Sequence, residues 1–128
     1  ADAMARRNRH DLAIKALEGG IKQYPDNIDL WVALANAYVE HGGGMMTPAA
    51  ALAFDEAAKR GPDHPAPPFF AGLALARGGD LAGAEAVWSQ LLARSPADAP
   101  YRGDLEARLA QLRAMRPPQP TIPASPAP

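Results

Sequence analysis

The sequence predicts an all-α fold built from tandem helix-turn-helix repeats, and a recurring three-residue signature is the first observation behind this prediction. A small residue, a large residue and a proline recur in that order. The three sets are Ala13, Leu17 and Pro25; Ala50, Phe54 and Pro62; and Ala84, Trp88 and Pro96. In such repeats the small residue lets two helices approach, the large residue fills the gap, and the proline ends the second helix.

The spacing of the signature and the pattern near the C-terminus are the second and third observations. The sets are 37 and 34 residues apart, and a period near 34 is typical of a tetratricopeptide (TPR) array, in which each repeat is a helix A followed by a helix B. Tyr101, Leu105, Leu109 and Leu112 share one face of a last amphipathic helix, which would cap the array. We therefore predict a TPR domain over residues 1–115, with about two and a half repeats plus the capping helix, and a proline-rich tail over 116–128.

Composition limits the classes of function. A chain of 128 residues can bury one modest core. Its formal net charge of −1 gives no electrostatic reason to expect nucleic acid as a partner. It contains no cysteine, which excludes disulfides, zinc–thiolate sites and thiol catalysis. No run of 18 apolar residues is present, so the sequence predicts no membrane span in this stretch.

The first repeat lacks part of its helix A. The repeat phase makes the segment ending at Arg7 the second half of a truncated helix A, places a turn at Asn8, and starts helix B near Arg9. We therefore expect the parent protein to continue upstream, where a leader or a membrane anchor could lie. The alternative is one unbroken helix from about Asp2 to Tyr24.

The remaining helices are bounded by glycine, proline and capping residues. Thr47 should cap a helix that Pro48 opens, and the glycines from Gly42 onward should form a loop of weak local order through Met46. Asp98 should cap the last helix. The predicted helices after the first repeat cover residues 28–41, 48–60, about 65–77, 81–94 and 99–115.

Two features predict contacts beyond the repeats themselves. The missing half-helix should leave Leu12, Leu17 and Ile21 partly uncovered, which invites a second copy of the chain or a swapped helix. The tail PPQPTIPASPAP favours polyproline II, so we expect it to be ordered only by contact with its own helices or with a neighbouring chain.

No constellation of residues predicts catalysis or a metal site. His10 and His41 fall in turns at one edge of the array and His64 in a turn at the other, so they should not converge on one metal. No Ser-His-Asp set or phosphate loop appears. The sequence therefore predicts a protein that is not an enzyme, with no cofactor and no bound metal. A small helical enzyme is the rival class that this absence disfavours.

The candidate site is the groove that A helices line in a TPR array. The peptide-binding residues predicted from the repeat phase are Asp29, Val32, Asn36, Val39 and Glu40, followed by Phe69, Leu73 and Arg77. No Lys or Arg lies between residues 28 and 41, whereas a clamp for a terminal carboxylate needs several cations. The groove therefore suits an amphipathic helix or an apolar peptide. The alternative is that some of these residues pack between repeats.

Several motifs resemble one particular TPR family. They are the glycine turn followed by Met45-Met46 and Thr47, DHP at 63–65, FFAGLAL at 69–75, AVWSQLL around Trp88, and PADAPYR at 96–102. Over about residues 35–112 the chain resembles the apocytochrome c chaperones of the system I cytochrome c maturation machinery. Tyr101, where the family more often has Trp, and the pair Pro67-Pro68 depart from the pattern.

The resemblance implies a function that spacing alone does not. Members of this family are not enzymes. An upstream segment holds them in the bacterial inner membrane, and their TPR domain faces the periplasm. There it is thought to bind the C-terminal helix of apocytochrome c for delivery to the haem ligation complex. The alternative is a generic TPR scaffold for another protein assembly.

Overall fold

A computed structural model of the protein describes residues 2–116, with side chains described from Met4 onward. The predicted tail contacts therefore lie outside the described residues. Within residues 2–116 the chain forms six α-helices and no strand. They are α1 (Asp2–Gln23), α2 (Ile28–His41), α3 (Pro48–Arg60), α4 (Ala66–Arg77), α5 (Leu81–Arg94) and α6 (Arg102–Met115). Each helix packs on the next, and α2 also contacts α4, which is the pairing of an A–B repeat array.

The first helix corrects the predicted turn at Asn8. α1 runs unbroken from Asp2 to Gln23, as the alternative of a single helix had it. The physical reason is local: no proline or glycine interrupts residues 2–18, and one Asn costs a helix well under 1 kcal/mol. At Gly20 a Cβ would lie 3.5 Å from the Leu30 side chain, which is an ordinary van der Waals contact, so α1 and α2 touch here without requiring a glycine.

Side-chain caps start three of the helices. Asn27 Oδ1 accepts a hydrogen bond from Leu30 N at 3.1 Å, and Thr47 Oγ1 accepts one from Ala50 N at 3.1 Å. Asp80 Oδ1 does the same for Gly83 N at 2.9 Å. Each such cap stabilises its helix by about 1 kcal/mol. The predicted cap at Thr47 is confirmed, and Pro48 stands in the first turn as expected.

The predicted cap at Asp98 is wrong, because α6 begins at Arg102. Pro100 disfavours helical geometry at the residue before it. The segment instead makes two consecutive turns, in which Ala99 N donates to Pro96 O and Arg102 N donates to Ala99 O. The helix can start only after these turns.

The glycine loop after α2 is confirmed as non-helical. It contains more backbone hydrogen bonds than the predicted weak local order implies. Gly42 N donates to Tyr38 O at 2.9 Å, and Gly44 N donates to Val39 O at 2.8 Å. Gly43 and Gly44 have φ angles of 77° and 90°, which side-chain-bearing residues rarely adopt. These glycines therefore turn the chain sharply between α2 and α3.

The core consists of two clusters that meet at α4. One is built by α1 to α4 around Ala50 and Phe54, and the other by α4 to α6 around Ala84 and Trp88. Both alanines are 0% exposed, and the two aromatic side chains are 4% and 3% exposed. The small and large residues of the second and third signature sets therefore sit at the centre of the packing.

The third residue of the signature has a role of its own. Arg60 Nε, at the end of α3, donates a hydrogen bond of 2.5 Å to the carbonyl of Pro25. Arg94, at the end of α5, donates in the same way to the carbonyl of Pro62. Two of the three signature prolines, Pro25 and Pro62, thus accept a hydrogen bond from the arginine that ends the next repeat. These contacts help to fix the distance between successive repeats.

Candidate functional site

Helices α2, α4 and α6 share one side of the array, called here the A-helix face. α2 and α4 are in direct contact, and α4 and α6 together line a cleft. Arg77 Nη1 at the end of α4 donates to Glu40 Oε1 at the end of α2 over 2.8 Å. α2 and α4 are therefore tied together at their C-terminal ends.

The cleft on this face is centred on Phe69 and is called here the Phe69 cleft. It is an open, almost wholly apolar depression of about 210 Å³, lined by Pro65, Ala66, Phe69, Tyr101 and Asp104. Small-molecule sites usually occupy about 300–1,000 Å³. The Phe69 cleft is below that range, so its size suits one or two side chains of a peptide rather than a whole small ligand.

The walls of the cleft are held in place by their neighbours. The Phe69 ring stacks on Trp88, with 6.1 Å between centroids and 24° between planes. Trp88 Nε1 also donates to Phe69 O at 3.0 Å. On the other side of the cleft, the hydroxyls of Tyr101 and Ser95 are hydrogen-bonded at 2.6 Å. A partner would therefore meet aromatic rings that are already positioned, which lowers the entropic cost of binding.

Charged side chains on the A-helix face, at the Phe69 cleft and at the C-terminal ends of α2 and α4, are paired with each other. Arg108 Nε donates to Asp104 Oδ2 at 2.9 Å, and the Arg108 guanidinium lies 5.3 Å from the centre of the Phe69 ring. The hydrogen bond from Arg77 is the main cause that lowers the pKa of Glu40 below its ordinary value. Neither arginine is an uncompensated cation, so a terminal carboxylate would have to compete with Asp104 or Glu40.

The predicted groove residues divide into accessible and buried ones. Val32 and Val39 are 6% and 2% exposed, and Val39 belongs to the first core cluster. In this structure the two valines are therefore packing residues and offer no open groove surface, as the packing alternative expected. The accessible or half-buried members are Asp29, Asn36, Glu40, Phe69, Leu73 and Arg77. Whether these residues bind a peptide stays a prediction.

Tyr101, Asp104 and Arg108 contribute to the cleft although the groove prediction did not include them. The sequence had assigned α6 only the role of a cap. Its spacing from α4 would have identified it as the next A helix, since Asp104 lies 35 positions after Phe69 and the repeat period is close to that value. The cap of the array is therefore also one wall of the candidate site.

A second depression lies on the other side of the array, between α1, α2 and α3. It has about 270 Å³ and is lined by Ile21, Trp31, Tyr38 and Leu52, among others. The Arg60 guanidinium lies 4.5 Å from the centre of the Trp31 ring, and Leu52 is 62% exposed.

The predicted turn position is wrong for His10, which lies within the continuous helix α1. His41 is the last residue of α2, and His64 lies in the turn between α3 and α4. The rings of His10 and His41 are 6.3 Å apart, and His41 Nδ1 lies 3.7 Å from Asp11 Oδ1. His64 Nδ1 accepts a hydrogen bond from Ala66 N at the start of α4. Among the residues that the structure describes, no group of three His, Cys, Asp or Glu side chains could hold a metal ion.

No helix between residues 2 and 116 combines the length and the apolar character that crossing a membrane requires. This finding concerns the described helices alone.

Comparison with known proteins agrees with the repeat architecture and adds a biological setting. The tetratricopeptide repeat family profile matches residues 1–37. The chain is 30% identical over 112 residues to the cytochrome c-type biogenesis protein CycH of Bradyrhizobium diazoefficiens, which covers 88% of this chain. It is 33% identical over 109 residues to the protein of the same name from Rhizobium meliloti, which covers 85% of this chain.

The matched segments are only 30% and 29% of the two relatives, so this chain corresponds to one part of a longer protein in each case. The resemblance to a cytochrome c maturation protein is confirmed at the level of the protein names. The chain is an all-α tetratricopeptide array, similar in sequence to part of the cytochrome c-type biogenesis protein CycH.

Proposed function

We propose that this chain is the protein-binding module of a c-type cytochrome biogenesis protein, and that it binds the C-terminal helix of apocytochrome c for delivery to the haem ligation complex. It acts without catalysis, at the periplasmic face of the inner membrane, where an upstream segment of the parent protein holds it. The open, apolar Phe69 cleft is the observation that carries the proposal. The names of the relatives support the biological setting.

The chemistry of the cleft selects the kind of partner. An amphipathic helix presents apolar side chains at intervals of three and four residues, and one of these can enter a depression of about 210 Å³. The paired charges of Asp104 and Arg108 at the rim can orient polar residues of the client. Because Arg77 and Arg108 are already bonded to carboxylates, the surface is poorly suited to clamp a peptide by its terminal carboxylate.

The expected affinity is moderate. Apolar burial gives about 25 cal/mol per Å², but association costs at least several kcal/mol, and ordering a disordered peptide costs more. We therefore expect an isolated client peptide to bind with micromolar dissociation constants. Phe69 should be the dominant contact, since aromatic side chains in preformed depressions are frequent hot spots.

Calorimetry with a peptide of the apocytochrome c C-terminal helix tests the proposal. Phe69→Ala should weaken binding by about 1–3 kcal/mol, which is the range for truncating a hot-spot side chain. Because Phe69 also packs on Trp88, the helical circular dichroism of the variant must show that it is folded at the temperature used.

Leu52→Ala is the matched control, because Leu52 is exposed and lies on the depression between α1, α2 and α3. It should leave the affinity unchanged. If Leu52→Ala weakens binding and Phe69→Ala does not, the site is on the other side of the array and the proposal is wrong. No binding by the wild-type protein would favour a generic scaffold for another assembly.

A further inference from the structure

A second, smaller depression lies farther along α6, toward the C-terminal end of that helix. This distal depression has about 170 Å³, and Leu81, Leu112 and Met115 are among its lining residues. Arg108 lines it as well and also lies over the Phe69 ring, so the two depressions adjoin. Both depressions lie along α6, and the distal one is lined by Met115, directly before the last described residue.

The sequence that follows this point has the chemistry of a groove ligand. Residues 117–128 are PPQPTIPASPAP, with six prolines and no charged side chain. Proline-rich segments favour polyproline II, which makes no internal hydrogen bonds. They bind aromatic-lined grooves with little loss of entropy, since the chain is already extended. This composition contrasts with α6, whose exposed surface is charged.

We propose that the Phe69 cleft is a binding site for a proline-rich segment, and that residues 117–128 of this chain occupy it in the absence of a client. The distal depression lies between the end of α6 and the Phe69 cleft, on the way that such an occupant would take. Binding of this segment to the cleft does not depend on which client the protein binds.

The distances allow this path. α6 from residue 101 to residue 115 spans about 21 Å at 1.5 Å per residue. Twelve residues of polyproline II span about 37 Å at 3.1 Å per residue, which leaves several residues for the reversal of direction after Arg116. Arg116 Nη1 is hydrogen-bonded to Glu85 on α5, so the segment starts from a fixed point on the array.

Size and charge also match. The two adjoining depressions, of about 210 and 170 Å³, are each suited to a few small apolar groups such as proline rings. The charges at their junction, Asp104 and Arg108, are paired with each other at 2.9 Å. An uncharged segment can cover them without leaving a charge unpaired, whereas a charged segment would have to break or rearrange that pair.

The absence of cysteine makes a clean test possible in the full chain. Ser125→Cys introduces a single thiol outside the helical domain, and a nitroxide spin label attached there broadens the NMR signals of nearby amides. We expect several-fold stronger relaxation at Ala66, Phe69 and Tyr101 than at residues of α1. Uniform or absent broadening would overturn the proposal.

Two controls separate specific binding within one chain from other contacts. Phe69→Ala in the labelled chain should reduce the broadening at Tyr101 several-fold. Mixing spin-labelled chain with isotope-labelled chain that carries no spin label should give no broadening. If the broadening appears mainly in the mixture, the occupant comes from a second copy, and the intrachain proposal is wrong.

Removal of residues 117–128 links this inference to the proposed function. If the segment occupies the cleft for half to nine-tenths of the time, its removal raises client affinity by about two- to tenfold. Unchanged client affinity would show that the segment does not cover the client's site. The relaxation experiment contains no client, so a failure of client binding leaves its outcome intact.

Discussion

The first and third repeats carry the same sequence signature but bury it to different extents. In the third repeat, Ala84 and Trp88 of α5 are 0% and 3% exposed. In the first repeat, Ala13 of α1 is exposed and Leu17 is only half-buried. The signature therefore identifies a helix B in both places, whereas its burial depends on the helix A that faces it.

The facing helix explains the difference. In the third repeat α4 packs directly on α5, and a Cβ at Gly72 would lie 2.2 Å from Trp88 Nε1, so the indole fills the space beside that glycine. In the first repeat the residues predicted to form a separate helix A are part of the continuous α1. Among the described helices, α1 packs extensively only on α2, and Leu12 remains 68% exposed. The prediction that Ile21 is also uncovered is wrong, because Ile21 is 9% exposed and belongs to the first core cluster.

Truncating the large residue of each signature should give the largest effect. Trp88→Ala should lower the free energy of unfolding by about 3–5 kcal/mol, as expected for a buried aromatic residue. Leu17→Ala should cost about 1 kcal/mol, because a half-buried leucine loses less apolar contact. Urea denaturation followed by circular dichroism measures both.

Trp88→Phe serves as a second variant in case Trp88→Ala does not fold at all. It keeps an aromatic ring but loses the hydrogen bond to Phe69 O, so it should fall between the two alanine variants. Equal losses for Trp88→Ala and Leu17→Ala would mean that the first repeat is as well packed as the third, against the comparison above.

Adding a methyl group at a glycine also tests whether the third repeat is more tightly packed than the first, by filling space where the earlier variants remove side-chain atoms. Gly72→Ala should destabilise the protein by about 1–3 kcal/mol, since the new Cβ would overlap the rigid Trp88 ring. Gly19→Ala in α1 is the matched control, because nothing lies within 4 Å of a Cβ there. It should raise stability by up to about 1 kcal/mol through helix propensity.

Thermal unfolding ranks these two variants against the wild type. A Gly72→Ala protein as stable as the wild type would show that the third repeat can relax around an added methyl group. A destabilised Gly19→Ala protein would indicate that the first repeat contains packing that the structure does not reveal.

Capping residues and prolines in the sequence predicted the starts of helices correctly where the packing of the folded chain allows the same starts. Thr47 and Pro48 start α3, and the prolines before Phe69 start α4, because caps and fixed φ angles act within one turn. Two local predictions failed. The turn at Asn8 had no glycine or proline to enforce it, and the cap at Asp98 is overridden by the consecutive turns around Pro100.

The candidate site was harder to predict, because it depends on how helices from different repeats approach. Repeat phase assigned Phe69 to the groove, and in the structure Phe69 lies on α4 and lines an open cleft. It could not show that α2 and α4 touch, or that Val32 and Val39 of α2 are almost completely buried in the folded array. It also assigned Tyr101 to the cap, although its side chain faces Phe69 across the cleft.

The smallest expected effect concerns the ion pair that ties the second repeat to the third. Glu40 and Arg77 are hydrogen-bonded at 2.8 Å, and both side chains are about half exposed, at 50% and 46%. Exposed pairs of this kind stabilise proteins by about 0.2–1 kcal/mol. Glu40→Gln should therefore lower the free energy of unfolding at neutral pH by an amount in that range.

The contribution of the Glu40–Arg77 pair to the free energy of unfolding should depend on pH in a predictable direction. The hydrogen bond from Arg77 lowers the pKa of Glu40 in the folded protein. A carboxyl group with a lowered folded-state pKa contributes stability that is fully present above its unfolded pKa and is lost as the pH falls through the folded one. The difference between wild type and Glu40→Gln should hence be constant near neutral pH and shrink in acid, below the ordinary pKa of a glutamate. The corresponding contact between α1 and α2 joins Asp11 Oδ1 to His41 Nδ1 at 3.7 Å, which is beyond hydrogen-bonding distance. Asp11→Asn should thus affect stability less than Glu40→Gln at neutral pH, in line with the looser packing of the first repeat. An equal or larger effect of Asp11→Asn in urea denaturation at neutral pH would contradict that ranking.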